Sequence, residues 1–390
     1  MTTKKGRPKG TGNIRERRPG VWQLTFTLAP GSAGRPGKKG FETITGTRGD
    51  AEQRLRQILG ELDQGTHVRP SKESLSSFMA RWMETYARPA VGAVTADGYV
   101  GIIRRYIEPS IGSIALGDLR ADHILDLYTT LRSPERQPKP LGEKTLLNLH
   151  VLLKEALGHA VRWRWIARNP AADVDSPRPR RSNITSLNRN QHQTFLDAVA
   201  ESVYRDIFIV DLNSGLRRSE ILGLRWPAVD FDEGYVAVVQ GLQRVPGKGL
   251  VELPVKSDTS RRIVYLDDPI IKLLHQLKAH QIEQGLQIGR QWDGKGFVFC
   301  RIDGSPYDPA YVSRDFTACM KQAGLTGLTL HGLRHTNVSG TIASSGLKAA
   351  SDRAGHSSVQ VTGDIYGHVE PEQQRAAARK FTEYMSGSGA

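Results

Sequence analysis

Four segments in the C-terminal half of the chain concentrate Arg, Lys, His and Tyr side chains. They are NSGLRRSEILGLRW at 213–226, a polar turn around Lys256, LHGLRHTNVS at 330–339 and AGHSSVQVTGDIYGHV at 354–369. Guanidinium groups grip phosphate oxygens through paired hydrogen bonds, a phenol can act as a nucleophile, and an imidazole can carry a proton. Together the four segments indicate phosphoryl transfer.

Taken singly, each segment has an ordinary structural explanation. An Arg-Arg-x-Glu run on a helix is usually a surface ion pair, and a lone His or Tyr is more often structural than catalytic. His331 and His335 are four residues apart on a predicted helix, which superficially suits a metal ion. Gly332 stands where a helical zinc motif carries Glu, and no acidic third ligand is evident, so the sequence predicts no metal site.

The elements predicted around these segments are mixed, with helical stripes surrounding a β-rich patch. The predicted strands are Tyr235–Gln240, Leu250–Val255 and Arg262–Leu266, and the predicted turns are Pro246–Gly249 and Ser257–Ser260. Lys256 then lies in a polar turn between two strands.

Between Ser71 and about Asp175 the apolar residues recur at helical spacing. The stripes are Leu75, Phe78, Met79 and Trp82; Tyr99, Ile102, Ile103 and Tyr106; Ile124, Leu127 and Leu131; and Leu146, Leu149, Leu152, Leu153 and Leu157. Six basic residues lie off the stripes and face either DNA or solvent: Arg104, Arg105, Lys144, Lys154, Arg162 and Arg164. The Pro/Arg-rich segment Asn169–Ser182 indicates an interdomain linker.

The first 65 residues predict a small β-sheet with one packed helix. Residues 1–19 are rich in Gly, Pro and basic side chains and predict a flexible arm. Val21–Leu28 alternates as a strand, and a Gly/Pro-rich turn at Ala29–Gly37 leads to a second strand around Lys39–Thr45. Asp50 with Gln53 resembles a capping box that opens an amphipathic helix. Its apolar stripe is Ala51, Leu55, Ile58, Leu59 and Leu62.

The charge of the chain indicates a polyanionic partner. The 390 residues contain 54 Lys+Arg against 40 Asp+Glu, which gives a formal charge of +14 and a pI near 9.8. Such a field favours DNA or RNA through counterion release, without sequence preference of its own. Two cysteines cannot build a disulfide framework, and no apolar run approaches the ~18 residues of a membrane span. We therefore expect a soluble, cytosolic, multidomain protein without a secretory signal.

The four segments together resemble the tyrosine recombinase family, the phage-integrase type of site-specific recombinase. The family's pattern is an Arg in a Gly-Leu-Arg-x-x-Glu box, a Lys on a β-turn and a His-x-x-Arg helix. A Gly-His and a Tyr about ten residues later complete it. The matching residues here are Arg217, Lys256, His331, Arg334, His356 and Tyr366. Two positions depart from the pattern: Asn337, where His or Ala is expected, and Ala354, where Leu is expected.

The resemblance implies a role for each of these residues. Tyr366 would attack a DNA phosphate and form a 3′-phosphotyrosine, while the two arginines clamp the non-bridging oxygens. Lys256 would donate a proton to the departing 5′-oxygen, His331 would serve as base or proton shuttle, and His356 would donate a hydrogen bond to the phosphate. No cofactor or metal is implied.

The resemblance also implies a fold that is mainly α with small β-sheets, divided into domains. They are an arm-type DNA-binding domain at 1–65, a helical core-binding (SAM-like) domain at 71–175, a linker at 176–182 and a catalytic domain with a C-terminal tail at 183–390. Phe381 and Tyr384 in that tail would either pack onto a neighbouring protomer or cap their own domain.

The expected function is integration or excision of a phage or other mobile element at the bacterial nucleoid, by a tetramer acting on core and arm sites of double-stranded DNA. An excision factor or a host DNA-bending protein would be an additional partner. Three rivals stay open: a chromosome-dimer resolvase, a type IB topoisomerase-like strand transferase, and a DNA-binding regulator without catalysis. The N-terminal 65 residues argue against the first two, and the complete residue set argues against the third.

Overall fold

The computed structural model describes residues 12–29, 38–64, 71–136, 139–180, 185–255, 260–355 and 358–366. Contacts within the chain divide it into two units, Met1–Arg180 and Arg181–Ala390. The chain is mostly helical with small antiparallel sheets, which confirms the predicted fold class. Within the described ranges, every helix is too short or too polar to cross a lipid bilayer.

The first sheet has three antiparallel strands in sequence order, followed by one helix. They are β1 (Asn13–Arg18), β2 (Val21–Ala29), β3 (Lys38–Thr45) and α1 (Arg48–Asp63). Leu24 and Phe26 of β2 are buried against Ala51, Leu55 and Ile58 of α1. The alternation of β2 and the helical stripe of α1 therefore meet in one small core, as their periodicities predict.

The prediction of a flexible arm is wrong over residues 13–18. Asn13–Arg18 forms β1, which pairs antiparallel with β2, and the partly buried Ile14 packs against the same small core. The exposed arginines of β1 resemble the composition of a flexible tail, which is why the sequence predicts one. Charged side chains are, however, also common on edge strands such as β1. The rest of the predicted arm, residues 1–11, and most of the predicted turn, residues 30–37, lie outside the described residues.

The predicted start of α1 is also wrong, by three residues. Thr47 is the N-cap, and Asp50 occupies the third helical position, where its carboxylate accepts hydrogen bonds from the Thr47 amide and hydroxyl, both at 2.8 Å. These hydrogen bonds lower the pKa of Asp50. A capping box is present, but it runs from Thr47 to Asp50 instead of from Asp50 to Gln53.

The following helices build a second core in the first unit. They are α2 (Leu75–Trp82), α3 (Arg88–Ala90), α4 (Ala93–Ile102), α5 (Glu108–Ile111), α6 (Ala121–Arg132) and α7 (Glu143–Arg162). Single π-helical turns, Met83–Ala87 and Ile103–Ile107, join α2 to α3 and α4 to α5. The four predicted stripes supply much of this core, and Trp82 Nε1 donates to the buried His159 Nδ1 at 2.7 Å.

Of the two predicted linker bounds, Asn169–Ser182 begins too early, whereas 176–182 begins after the packed residues 170–174. Pro170–Asp173 forms a 3₁₀ turn that Asn169 caps, and both Ala171 and Val174 are buried in the helical core. The apolar side chains among the prolines and arginines anchor this stretch to α6 and α7. Residues 181–184 lie outside the described chain.

The second unit surrounds a larger core with helices and two small sheets. Its helices are α8 (His192–Val199), α9 (Arg205–Ser214), α10 (Arg218–Leu222), α11 (Asp268–Gln287), α12 (Pro309–Gln322), α13 (Leu330–Ala354) and α14 (Val359–Tyr366). Its strands are β4 (Val229–Asp230), β5 (Tyr235–Val238), β6 (Gln240–Val245), β7 (Gly249–Pro254) and β8 (Arg262–Tyr265).

The β-rich patch predicted from the sequence is divided into two antiparallel sheets. One has the order β4-β5-β8, and the other is the hairpin β6-β7. The strand predicted at Tyr235–Gln240 ends at Val238, and Gln240 begins β6 of the other sheet. The chain between β7 and β8 therefore passes from one sheet to the other.

Candidate active site

Arg217 lies at a sharp turn between two helices. Helix α9 ends at Ser214, Gly215 adopts a left-handed conformation with φ of 64°, and Arg217 is the N-cap of α10. A Cβ atom at Gly215 would lie 2.6 Å from Asn337 Oδ1, so the turn requires glycine for both its conformation and its packing.

Three hydrogen bonds fix Arg217. Its Nη1 and its backbone amide donate to the two carboxylate oxygens of Glu220 at 2.7 and 2.8 Å, and its Nη2 donates to the carbonyl of Gly355 at 3.1 Å. The side chain is still 36% exposed. Arg217 is therefore held on one side and accessible to a ligand on another.

Glu220 is a buried carboxylate shared by two arginines. It is 5% exposed, and Arg262 donates to both of its oxygens, from Nη1 at 3.2 Å and from Nη2 at 2.8 Å. Burial by itself would raise the pKa of Glu220, but the hydrogen bonds and charges of Arg262 and Arg217 lower it below its usual value. Glu220 is therefore ionised at neutral pH.

Helix α13 carries His331 and Arg334 one turn apart. Thr329 caps the helix, its hydroxyl accepting from the Gly332 amide at 3.3 Å. Arg334 is 2% exposed, and it donates from Nη1 to the Gly215 carbonyl at 2.7 Å and from Nη2 to the Ala354 carbonyl at 2.5 Å. Gly215 is two residues before Arg217, so Arg334 supports the turn that positions the first arginine.

The two arginines end on adjacent carbonyl groups. Arg334 donates to Ala354, and Arg217 donates to Gly355, which adopts a left-handed conformation with φ of 63° at the end of α13. Segments more than a hundred residues apart in sequence are thereby joined at one turn. His356 directly follows this turn, and it lies outside the described residues.

His331 has a solvent-exposed surface, although part of its ring is buried against the protein. Partial burial of the ring and the positive charges of Arg334, Arg217 and Arg218 lower its pKa below the usual value for histidine. The imidazole is therefore neutral at pH 7 and can accept a proton. Its ring packs edge-on against His335, with ring centroids 4.6 Å apart. In the described part of the chain, no group of three or more His, Cys, Asp or Glu side chains is arranged to hold a metal ion.

A cavity of about 340 Å³ lies beside Arg217. Its walls are formed by Arg217, Ser219, Glu220, Gly241, Gln243, Leu253, Pro254, Val255 and Ser260. Val255 and Ser260 are the described residues on either side of 256–259, the stretch that contains Lys256. Lys256 itself lies outside the described residues, but the chain enters and leaves its stretch at this cavity.

Tyr366 is the last residue of α14. This helix lies beside the end of α13, where a Cβ atom at Gly363 would be 3.9 Å from Leu347 Cδ2, and Thr362 is fully buried. The backbone of Tyr366 therefore belongs to the same unit as Arg217, His331 and Arg334, whereas its side chain lies outside the described structure. The predicted tail beyond it, with Phe381 and Tyr384, is outside as well.

Two family models match this chain. The model of the phage integrase family matches residues 185–373, and the model of the phage integrase N-terminal SAM-like domain matches residues 74–132. The chain belongs to the tyrosine recombinase family. It is thus a tyrosine-type site-specific recombinase of the integrase kind, as the sequence predicts.

Several curated relatives of this recombinase are similar along most of their length. A tyrosine recombinase XerC-like protein of Caldanaerobacter subterraneus subsp. tengcongensis is 23% identical over 93% of this chain and 96% of its own. An integrase of Saccharopolyspora erythraea is 22% identical over 84% of this chain and 86% of its own. The ICEBs1 integrase of Bacillus subtilis is 26% identical over 63% of this chain and 67% of its own.

Solved integrase structures share the fold of this recombinase. The Tn1549 transposon integrase in complex with a circular intermediate DNA superposes with a TM-score of 0.65 at 20% identity, covering 79% of this chain and 99% of that one. A lambda integrase tetramer bound to a Holliday junction superposes with a TM-score of 0.56 at 18% identity, covering 94% and 99%. The fold therefore extends over the helical and C-terminal parts of the recombinase.

Sequence reasoning missed three supporting residues of the recombinase. Arg262 ion-pairs with Glu220, and Arg353 donates to the carbonyls of Tyr265 and Asn213 at 2.8 and 2.6 Å. Burial and the charge of Arg262 lower the pKa of Arg353. Asp211 is 1% exposed, its Oδ1 has no hydrogen-bond partner, and burial raises its pKa well above the usual value although Arg334 opposes this. No sequence spacing links these residues to the site.

Asn337, one of the two departures from the family pattern, has a clear structural role. Its Nδ2 donates to the carbonyls of Leu212 and Asn213 at 2.9 and 3.0 Å, which are two of the last three carbonyls of α9. Helix C-termini leave such carbonyls without intrahelical partners. Asn337 therefore stabilises the helix end from which the Arg217 turn departs.

Proposed function

We propose that this recombinase cleaves and rejoins DNA through a 3′-phosphotyrosine formed by Tyr366, and so integrates or excises a mobile element. The convergence of Arg217 and Arg334 on the adjacent Gly355 and Ala354 carbonyls carries the proposal. It brings two guanidinium groups together at the turn that precedes His356. His331 lies within the electrostatic influence of both arginines.

In the proposed transition state, positive charge accumulates around one DNA phosphate. Arg217 offers an exposed guanidinium edge to the non-bridging oxygens, and Arg334 supplies a second fixed positive charge from behind the surface. His356 adds a hydrogen-bond donor. Preorganised donors of this kind stabilise charge that develops during the reaction, because they need no reorganisation at that moment.

Proton transfers accompany the exchange of bonds at phosphorus. A phenol has a pKa of ~10 in water, so Tyr366 is protonated at rest and passes its proton to the neutral His331 as it attacks. The bond from phosphorus to the 5′-oxygen breaks, and Lys256 donates a proton to that oxygen. The products are a 3′-phosphotyrosine and a free 5′-hydroxyl, and attack by another 5′-hydroxyl reverses the step without an external energy source.

The proposed partner is double-stranded DNA, bound at core sites by residues 71–175 and the catalytic domain at 183–390. Residues 1–65 would bind arm sites, and 176–182 would link the helical and catalytic parts. The formal charge of +14 supports this, as do six exposed basic residues of the helical part: Arg104, Arg105, Lys144, Lys154, Arg162 and Arg164. The shared fold with the lambda integrase tetramer on a Holliday junction supports four copies acting on two sites.

A nicked suicide substrate tests the proposal. The DNA spans the junction of the mobile element with its host, and cleavage releases a short strand so that religation fails. The wild-type protein should form a denaturant-resistant adduct, Tyr366→Phe should bind DNA without forming one, and Tyr235→Phe is the matched control. Tight binding without an adduct in the wild type would favour a DNA-binding regulator. Parallel assays with an excision factor or a host DNA-bending protein added would define accessory partners.

A further inference from the structure

Arg262 is a buried arginine that contacts three separate segments of the chain. Its side chain is 6% exposed. Besides its two hydrogen bonds to Glu220, its Nε donates to the Arg353 carbonyl at 2.7 Å, and its Nη1 donates to the Ser260 carbonyl at 3.2 Å. One guanidinium thus joins the start of β8 to α10 and to the end of α13.

Each of these contacts involves a residue that is bonded to, or close in sequence to, a residue of the proposed reaction. Glu220 holds the amide and guanidinium of Arg217. The Arg353 carbonyl is two residues before Gly355, which accepts from Arg217, and three residues before His356. Ser260 is the first described residue after the stretch that contains Lys256.

The Arg262 side chain packs closely against the Gly355 turn and leaves no room there for a side chain on residue 355. A Cβ atom at Gly355 would lie 2.9 Å from Arg262 Cδ and 3.1 Å from its Nη1. Only a planar guanidinium offers donors in several fixed directions, whereas a lysine ammonium is a compact point charge that cannot reach acceptors on all three residues at once. A positive charge at position 262 is therefore not enough to make these contacts, which also need the shape of the guanidinium group.

We propose that Arg262 is a positioning residue for strand cleavage, which sets the Arg217 clamp, the turn before His356 and the base of the Lys256 stretch relative to one another. The proposal rests on the proposed function, because it concerns the same reaction. Arg262 itself does not touch DNA, since its side chain is buried. Its loss displaces groups that must be placed to within about an ångström, an error that typically costs about 100-fold in rate.

The test compares Arg262→Lys and Arg262→Gln with Arg261→Lys, a matched change at the exposed neighbouring arginine. Single-turnover cleavage of the suicide substrate, DNA affinity and the unfolding midpoint are measured for each full-length protein. We expect both Arg262 variants to cleave about 100-fold more slowly while binding DNA as the wild type does. Arg262→Lys, which keeps a positive charge beside Glu220, should melt closer to the wild type than Arg262→Gln. Arg261→Lys should cleave at the wild-type rate.

A modified substrate separates positioning from a purely structural effect. Sulfur in place of the bridging 5′-oxygen gives a leaving group that needs no proton donor, so it should restore cleavage by Lys256→Ala. It should partly restore cleavage by the Arg262 variants, because one of their defects is a misplaced Lys256. Wild-type rates in both variants, or losses that the sulfur substrate leaves unchanged and that match losses in DNA binding and melting temperature, would overturn the proposal. Absence of any adduct with the wild-type protein would instead refute the proposed function.

Discussion

At the scale of single residues, the site keeps its positive charge because most hydrogen-bond partners of its arginines are neutral. Arg334 donates to the neutral carbonyls of Gly215 and Ala354, and the buried Asp211 has a pKa raised well above its usual value. Burial thus favours the neutral carboxyl of Asp211, which is the form that leaves the charge of Arg334 uncancelled. Glu220 is the ionised carboxylate of the cluster, and it is shared between Arg217 and Arg262.

The first residue-scale prediction concerns the two arginines. Arg217→Ala should slow cleavage by about 10²–10³-fold, about 3–4 kcal/mol, which is typical of a lost donor to a developing oxyanion. Arg334→Ala should slow it by a similar factor of about 10²–10³, because it removes a fixed positive charge and the donors that hold the Gly215 and Ala354 carbonyls. Single-turnover cleavage at pH 8 measures the effect. Arg218→Ala, which removes an exposed neighbouring guanidinium, is the control and should retain its rate. A near wild-type rate in either arginine variant would show that the phosphate clamp is misassigned.

The second residue-scale prediction concerns the pH dependence of His331. Its pKa is lowered, so the neutral base persists at pH 6.5 and is lost only as the pH falls through the lowered value. The cleavage rate should therefore decline on the acid side below pH 6.5. Arg218→Ala removes one of the charges that lower this pKa, so its acid limb should move to higher pH. An unchanged acid limb in Arg218→Ala, or activity of His331→Ala with the wild-type profile, would contradict the assignment of His331 as base.

The residue scale is also where prediction from sequence reaches its limit. Motif spacing predicts residues whose types suit the chemistry, because those residues are few and ordered along the chain. It did not identify Arg262, whose partner Glu220 is 42 residues away. Such a contact depends on how β8 packs against α10. In the sequence alone, two adjacent arginines at the start of a strand are equally typical of a solvated surface.

At the scale of elements, the turns at Gly215 and Gly355 determine how the two arginines of the site are held. The helical stripes were predictable because burial repeats with the helix period. The start of α1 and the strand β1 were mispredicted because caps and edge strands depend on a few polar contacts. Gly215 and Gly355, both left-handed, end α9 and α13, and the carbonyl of each accepts a hydrogen bond from one of the two arginines.

An element-scale prediction follows for Gly215. Gly215→Ala combines an unfavourable backbone conformation with a Cβ atom 2.6 Å from Asn337 Oδ1, so it should destabilise the fold by more than about 1 kcal/mol and slow cleavage. Gly324→Ala is the matched control, since Gly324 also has a positive φ, 73°, but no atom within 4 Å of the added Cβ. Denaturant unfolding and single-turnover cleavage measure both variants. Equal loss of cleavage in the two would mean that displacement of the Arg217 turn has no part in the effect.

At the scale of the whole molecule, the N-terminal part has a hydrophobic core of its own. Residues 13–63 form their own small core of β2 and α1 side chains, distinct from the core of α2 to α7. Exposed arginines lie along β1. The proposal that residues 1–65 bind arm sites depends on this surface.

The whole-molecule prediction is that deletion of residues 1–65 spares cleavage of the core site but impairs integration. Cleavage needs only the catalytic residues and the DNA surface around them, whereas integration requires arm sites to be bound at the same time. Adduct formation and recombination between two complete sites are measured with the same preparation. Integration at the wild-type level by the shortened protein would refute the arm-binding role.

The central claim is that Tyr366 becomes covalently joined to DNA, and peptide mass spectrometry of the adduct tests it most directly. The adduct on the suicide substrate is digested with nuclease and protease, and the peptide that carries a nucleotide is sequenced. The account predicts a single modified peptide with a 3′-phosphonucleotide on Tyr366, absent from Tyr366→Phe. A nucleotide attached to any other residue, or an adduct of undiminished yield with Tyr366→Phe, would contradict the assignment of the nucleophile and of the site built around it.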